Sequence, residues 1–187
     1  MNASEKKERL IEAAVALLDA APNKRLKTTN LNKALFYLDL IALRDYGETI
    51  TRSNYCAFEN GPVVAFYKEA LIDELAARNL AKQDEDGMSK PIVLQQGIKS
   101  FRYIDDDQRE SAATIARHIG ALDARTASDL SHKNPGWREA RTRGERASID
   151  MTLAMQQVID QDPWLDQPLT ADEKEALSSS ADTVAWN

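Results

Sequence analysis

The chain has 187 residues, 43% of them hydrophobic and 29% charged, with a formal net charge of −6. That is enough for one ordinary domain with a buried core. No apolar run approaches the roughly 20 residues that span a bilayer, and the charged start MNASEKKERLIEAA lacks the apolar heart of an export signal, so a cytoplasmic, non-membrane protein is expected. Cys56 is the single cysteine, which excludes an internal disulfide and a thiolate zinc site and suits a reducing compartment.

Helical spacing dominates the pattern. Residues 4–20, with Ser4 as cap, carry Leu10, Ile11, Ala14, Val15 and Leu18 on one face. Ala21-Pro22 ends that helix. Residues 30–46, NLNKALFYLDLIALRDY, are apolar around most of the circumference, with Asp39 the one charge between Ala34 and Leu43. This predicts a buried central helix, stopped by Gly47. Residues 54–58 read as a short extended segment. Gly61-Pro62 then reads as the start of a helix to about Asn79, with Val63, Phe66, Tyr67, Ala70, Leu71 and Leu75 as its apolar stripe. A small hairpin or three-stranded ribbon is expected around Asp86-Gly87, Ile92–Leu94 and Phe101–Ile104. Asp107 with Glu110, Thr126 with Asp129, and Thr170 with Glu173 resemble capping boxes. They open helices over 108–120, from 126 to near His132, and in the tail. A further helix is expected over 145–159. The fold class is therefore mainly α: a single helical domain with a small β-hairpin or ribbon, which also admits a winged-helix-like element. Residues 1–159 form the domain and residues 160–187 an acidic extension with one short helix.

Charge is segregated. Lys133, Arg138, Arg141, Arg143 and Arg146 outnumber Glu139 and Glu145, whereas residues 160–187 carry seven acids against Lys174. The tail can fold back on the basic stretch or face a basic partner. The net −6 argues against a main task in non-specific nucleic-acid binding.

The stretch DLSHKNPGWREA invites three readings. Ser131 and His132 suggest a nucleophile and base, but helical neighbours point about 100° apart, so the pair is not expected to react. A helix-end serine and a histidine packed under Trp137 is the better reading, and no enzyme activity is expected. The two histidines, His118 and His132, have no metal-binding spacing. Asp105-Asp106-Asp107 reads as solvated cap residues, and no phosphate loop exists among the seven glycines, so neither a metal nor a cofactor is expected. Lys133, Arg138, Arg141, Arg143 and Arg146 remain as a partner-binding face, with a merely solvated or tail-paired face as the alternative. Trp137 is expected in the core.

The order LNKALFYLDL, NYCAFENGPV, FYKEALIDEL, a hairpin, and then TASDLSHKNPGWREA resembles the Panacea domain, the SocA-like antitoxin domain, over about residues 8–158. Its motifs stand here as Leu31 to Tyr37, Gly61-Pro62, and Leu130-Ser131-His132 with Trp137. Gly61, Pro62, His132 and Trp137 are thus its structural signature. Gly136 departs from the pattern, in which Pro and Trp more often adjoin. The resemblance implies an antitoxin of a bacterial or phage toxin–antitoxin system, acting in phage defence. It would neutralise a cognate protein toxin encoded by an adjacent gene through direct complex formation. Delivery of the toxin to an AAA+ protease is an alternative it also implies. A DNA-binding autorepressor of its own operon is the other alternative, motivated by the helices over 126–146 and a wing near 80–104.

Overall fold

The computed structural model describes residues 2–84 and 90–164. The Asp86-Gly87 turn, the Thr170–Glu173 box and most of the acidic extension lie outside the described residues. Helix α1 (Ala3–Ala20) is capped by Asn2, whose side chain accepts from the Glu5 N–H at 2.8 Å, so Ser4 sits inside the first turn. A 3₁₀ turn (Pro22–Lys24) and strand β1 (Arg25–Leu26) lead into α2 (Thr28–Tyr46). Helix α2 is buried at every residue from Asn30 to Ala42 and stops at Gly47, whose N–H bonds to Leu43 O at 3.1 Å. It is the expected central helix, because a circumference apolar nearly all round has no face to give to water.

Gly61-Pro62 does not open a helix. Strands β2 (Tyr55–Phe58) and β3 (Gly61–Val64) form an antiparallel hairpin, with Ala57 opposite Pro62 and Phe58 opposite Gly61. A proline is tolerated there because Ala57 directs its hydrogen bonds to the other side: its N–H donates to Ala147 O at 2.9 Å and its carbonyl accepts from Arg146 N at 3.0 Å. Ile149 N–H adds a bond to Tyr55 O at 2.8 Å, so residues 146–149 run along the outer edge of β2.

The helical stretch begins only after Phe66, as a π-turn (Lys68–Ile72) running into α3 (Asp73–Ala77). Of the expected stripe only Leu71 and Leu75 are buried.

The three-stranded sheet has the antiparallel order β1, β5 (Ile92–Leu94), β4 (Ala81–Gln83). Its third strand is β1 rather than residues 101–104. That loop gives its Arg102 and Tyr103 N–H groups to the buried Glu12 carboxylate at 3.0 and 2.7 Å, which removes them from strand pairing.

Helix α4 (Asp106–Ala121) carries its capping box at Asp105 and Gln108, two residues ahead of the expected Asp107 and Glu110. Helix α5 (Ala124–His132) is capped by Asp123, which accepts from Thr126 N–H at 2.8 Å, so Thr126 lies in the first turn. Helix α6 (Pro135–Arg143) follows. The expected helix over 145–159 is the shorter α7 (Met151–Met155), opened by Asp150 and continued by a 3₁₀ turn (Gln156–Val158).

The core reaches past residue 159. Trp164 is buried against Tyr37 and stacks on His118 with centroids 5.7 Å apart. Asp162, counted above with the extension, pairs with Arg44 at 2.9 Å rather than with the basic stretch.

Candidate partner-binding site

The joint between α5 and α6 is built on Asn134. As the α6 cap its side-chain oxygen accepts from Trp137 N–H at 3.0 Å, and its amide nitrogen donates to Ala154 O and Gln157 Oε1, both at 2.9 Å. Pro135 occupies the first helical position, where a missing N–H is harmless. Gly136 faces α7 so closely that a Cβ there would lie 2.7 Å from both Ala154 Cβ and Asp150 O. The glycine between Pro135 and Trp137 is thus a requirement of the α6–α7 contact.

Trp137 is half-buried at the edge of the core, not inside it. Its ring stacks on His132 at 4.2 Å and 14°, as the reading of a histidine packed under it expects, and its indole N–H donates to Phe58 O at 3.1 Å. Ser131 is fully buried and donates to Ser128 O at 2.8 Å. His132 Nε2 is buried and has no hydrogen-bond partner among the described residues.

Beneath this joint the hairpin tip is tied to the central helix. Lys33 is 1% exposed and its ammonium donates to Asn60 O. Ser128 Oγ donates to the same carbonyl at 3.0 Å. Burial with no carboxylate beside it pulls the Lys33 pKa down to about 7. Gly61 has a φ of +106°, and a Cβ on it would sit 2.3 Å from Ser131 Oγ and 2.7 Å from Lys33 Cε. Only glycine satisfies both the backbone and the space. Asn32 Oδ1 accepts from Val64 N–H at 3.1 Å, which clamps β3 to α2. Asp39, also on α2, accepts from Thr51 N–H and Tyr55 Oη at 2.9 Å each. Burial pushes its pKa up to about 6 against the pull of those bonds.

The predicted cations lie around this frame. Lys133, Arg138, Arg143 and Arg146 are exposed, and Arg141 is half-buried. The Arg141 guanidinium lies 6.0 Å from the Trp137 ring and that of Arg146 lies 5.3 Å from Phe58. Arg143 is occupied: it pairs with Glu139 at 2.9 Å and donates to Ser148 O at 2.6 Å. Helix α6 ends at Gly144, so Arg143 and Arg146 do not share a helical face. Among the described residues, Lys133, Arg138, Arg141 and Arg146 have no carboxylate partner. The result is a His132–Trp137 stack tied to the Phe58 backbone by the indole N–H, with Arg141 over the Trp137 ring and Arg146 over Phe58. Lys33, Asn134 and Phe58 escaped the sequence reading. The signal for Lys33 was a charged residue at the start of a run with no solvent face.

These features define a helical domain whose signature residues converge on one hairpin tip and one helix joint. The model of the family described as "Antitoxin SocA-like, Panacea domain" matches residues 31–138, more than half of the chain. The chain belongs to that family. The match runs from α2 to the first turn of α6, a narrower span than the expected 8–158. It includes Lys33, Gly61, Pro62, His132 and Trp137, while α1 and α7 lie outside it. No curated protein and no solved structure matches the chain. Among the described residues no helix is long and apolar enough to cross a membrane, and no group of three or more His, Cys, Asp or Glu is placed to hold a metal ion.

Proposed function

We propose that this protein is an antitoxin that neutralises a protein toxin, encoded by the adjacent gene, by forming a direct complex in the cytoplasm. It acts as a binding module without cofactor or turnover. The observation that carries this reading is the Trp137–His132 stack with Arg141 over its ring, together with Lys133, Arg138 and Arg146, which are exposed and have no carboxylate partner among the described residues. Tryptophan and arginine are the residues most enriched at interface hot spots, and cations left unpaired on a chain of net −6 suit an acidic partner surface. A specific complex would bury on the order of 1,600 Å².

The test is growth rescue. The neighbouring reading frame is induced with and without this gene, and the two products are co-purified. Restored growth with a stable complex supports the proposal. A harmless neighbour, or toxicity unaffected by this protein, defeats it. Salt-sensitive binding to its own promoter without any complex would reassign the basic face to DNA.

A further inference from the structure

Phe66 breaks the hydrophobic pattern on which its segment was read. It is 82% exposed and its φ is +56°, a conformation that a bulky L-residue adopts only under constraint. The constraint is visible on both sides. Ala65 N–H donates to Asn54 O at 2.8 Å, and Phe66 O accepts from Ala70 N–H at 2.8 Å, so the end of the hairpin and the start of the π-turn together hold the ring outward. Arg52 has the same φ of +56°, and both strained residues line one groove of about 250 Å³.

Ala3, Ala65, Ala70 and the Phe66 ring give the groove apolar surface, with Leu10 and Val64 buried at its floor. Lys6, Lys7 and Arg52 are its charged lining, and no acidic residue among the described residues lines it. Lys7 pairs with Glu74 at 2.6 Å and Arg52 pairs with Glu48, while Lys6 has no carboxylate partner among the described residues. The volume suits one aliphatic side chain rather than a folded element. Two copies of this chain meeting here would set like charges opposite one another, which association disfavours.

We infer that Phe66 and this groove form a second contact with the toxin, receiving an apolar side chain that has a carboxylate beside it for Lys6. The inference rests on the toxin-binding reading above. It names a surface that shares no residue with the Trp137 face.

The test titrates the purified full-length protein with the product of the adjacent reading frame. Phe66→Gly removes the ring at a backbone position that glycine adopts freely, so its Tm is expected to equal or exceed that of wild type while affinity falls at least tenfold. Phe66→Asn, which also tolerates positive φ, provides the second reading. Lys6→Glu is expected to weaken binding several-fold at low salt, with the difference fading at high salt. Wild-type affinity in both Phe66 variants overturns the inference and leaves the reading above standing. Lost binding with a lowered Tm in both also overturns it, since that is the mark of a structural role. No complex with wild type overturns both together. A wild-type dimer in sedimentation that Phe66→Gly abolishes would show that a second copy is the occupant, against the inference.

Discussion

Replacing Lys33 by methionine keeps an unbranched side chain of similar length in a fully enclosed site and removes its charge. Asn60 O is not orphaned, because Ser128 Oγ still donates to it at 3.0 Å. In the folded protein the Lys33 ammonium loses its proton near pH 7, whereas in the unfolded chain it does so near 10.5. Between those values the unfolded chain binds more protons than the folded one, so wild-type stability rises with pH. The contribution of Lys33 is complete above the unfolded value and is lost as pH falls through the folded one. Each pH unit within the window changes the balance by about 1.4 kcal/mol, so wild type gains about 2–3 kcal/mol on the variant from pH 7 to 9. At pH 6 the variant escapes the cost of a buried, unpaired ammonium and is expected to be more stable by about 1–3 kcal/mol. By pH 9 that advantage is gone. Urea unfolding of both proteins at pH 6, 7, 8 and 9 reads the difference directly. Stability differences that stay constant across this range would refute a buried Lys33 that titrates near neutrality.

Gly136→Ala drives a Cβ to 2.7 Å from the backbone oxygen of Asp150, so it is expected to cost about 2–3 kcal/mol and to loosen α7, read as a lower urea midpoint. Gly61→Ala combines an overlap with Ser131 Oγ and a forbidden φ, and is expected to cost at least as much in the same assay. Trp137→Ala loses the His132 stack and the indole bond to Phe58 O; about 2–4 kcal/mol of destabilisation is expected from its half-buried position. An unchanged midpoint in any of the three would contradict the packing described for that residue.

The central helix was legible because its signal is redundant: an apolar circumference over residues 34–43 and a glycine stop both pointed to α2. The Gly61-Pro62 segment was misread for a specific reason. Proline suits a helix start, but it equally suits a strand position whose N–H faces away from its partner. Which applies depends on Ala57 bonding to residues 146 and 147, some ninety residues away. The same long-range dependence hid Glu12 as the partner of the 102–103 backbone and moved the third strand of the sheet to residues 25–26. In the candidate site, the cations and Trp137 could be read from composition and order. Lys33 and Asn134 could not, since their roles come from a carbonyl at Asn60 and from α7, neither of which has a local pattern. Phe66 marks the opposite failure: the local apolar stripe was real, and the hairpin before it turned one member out to solvent.

The central claim is that the cations around Trp137, which have no carboxylate partner among the described residues, hold an acidic toxin surface. Calorimetric titration of the purified toxin with the Lys133→Glu, Arg138→Glu, Arg146→Glu triple variant, all three exposed positions, tests it most directly, with urea unfolding as the control for fold. The expected result is a loss of affinity of at least a hundredfold with the unfolding midpoint within error of wild type. Unchanged affinity in a folded triple variant would contradict the claim.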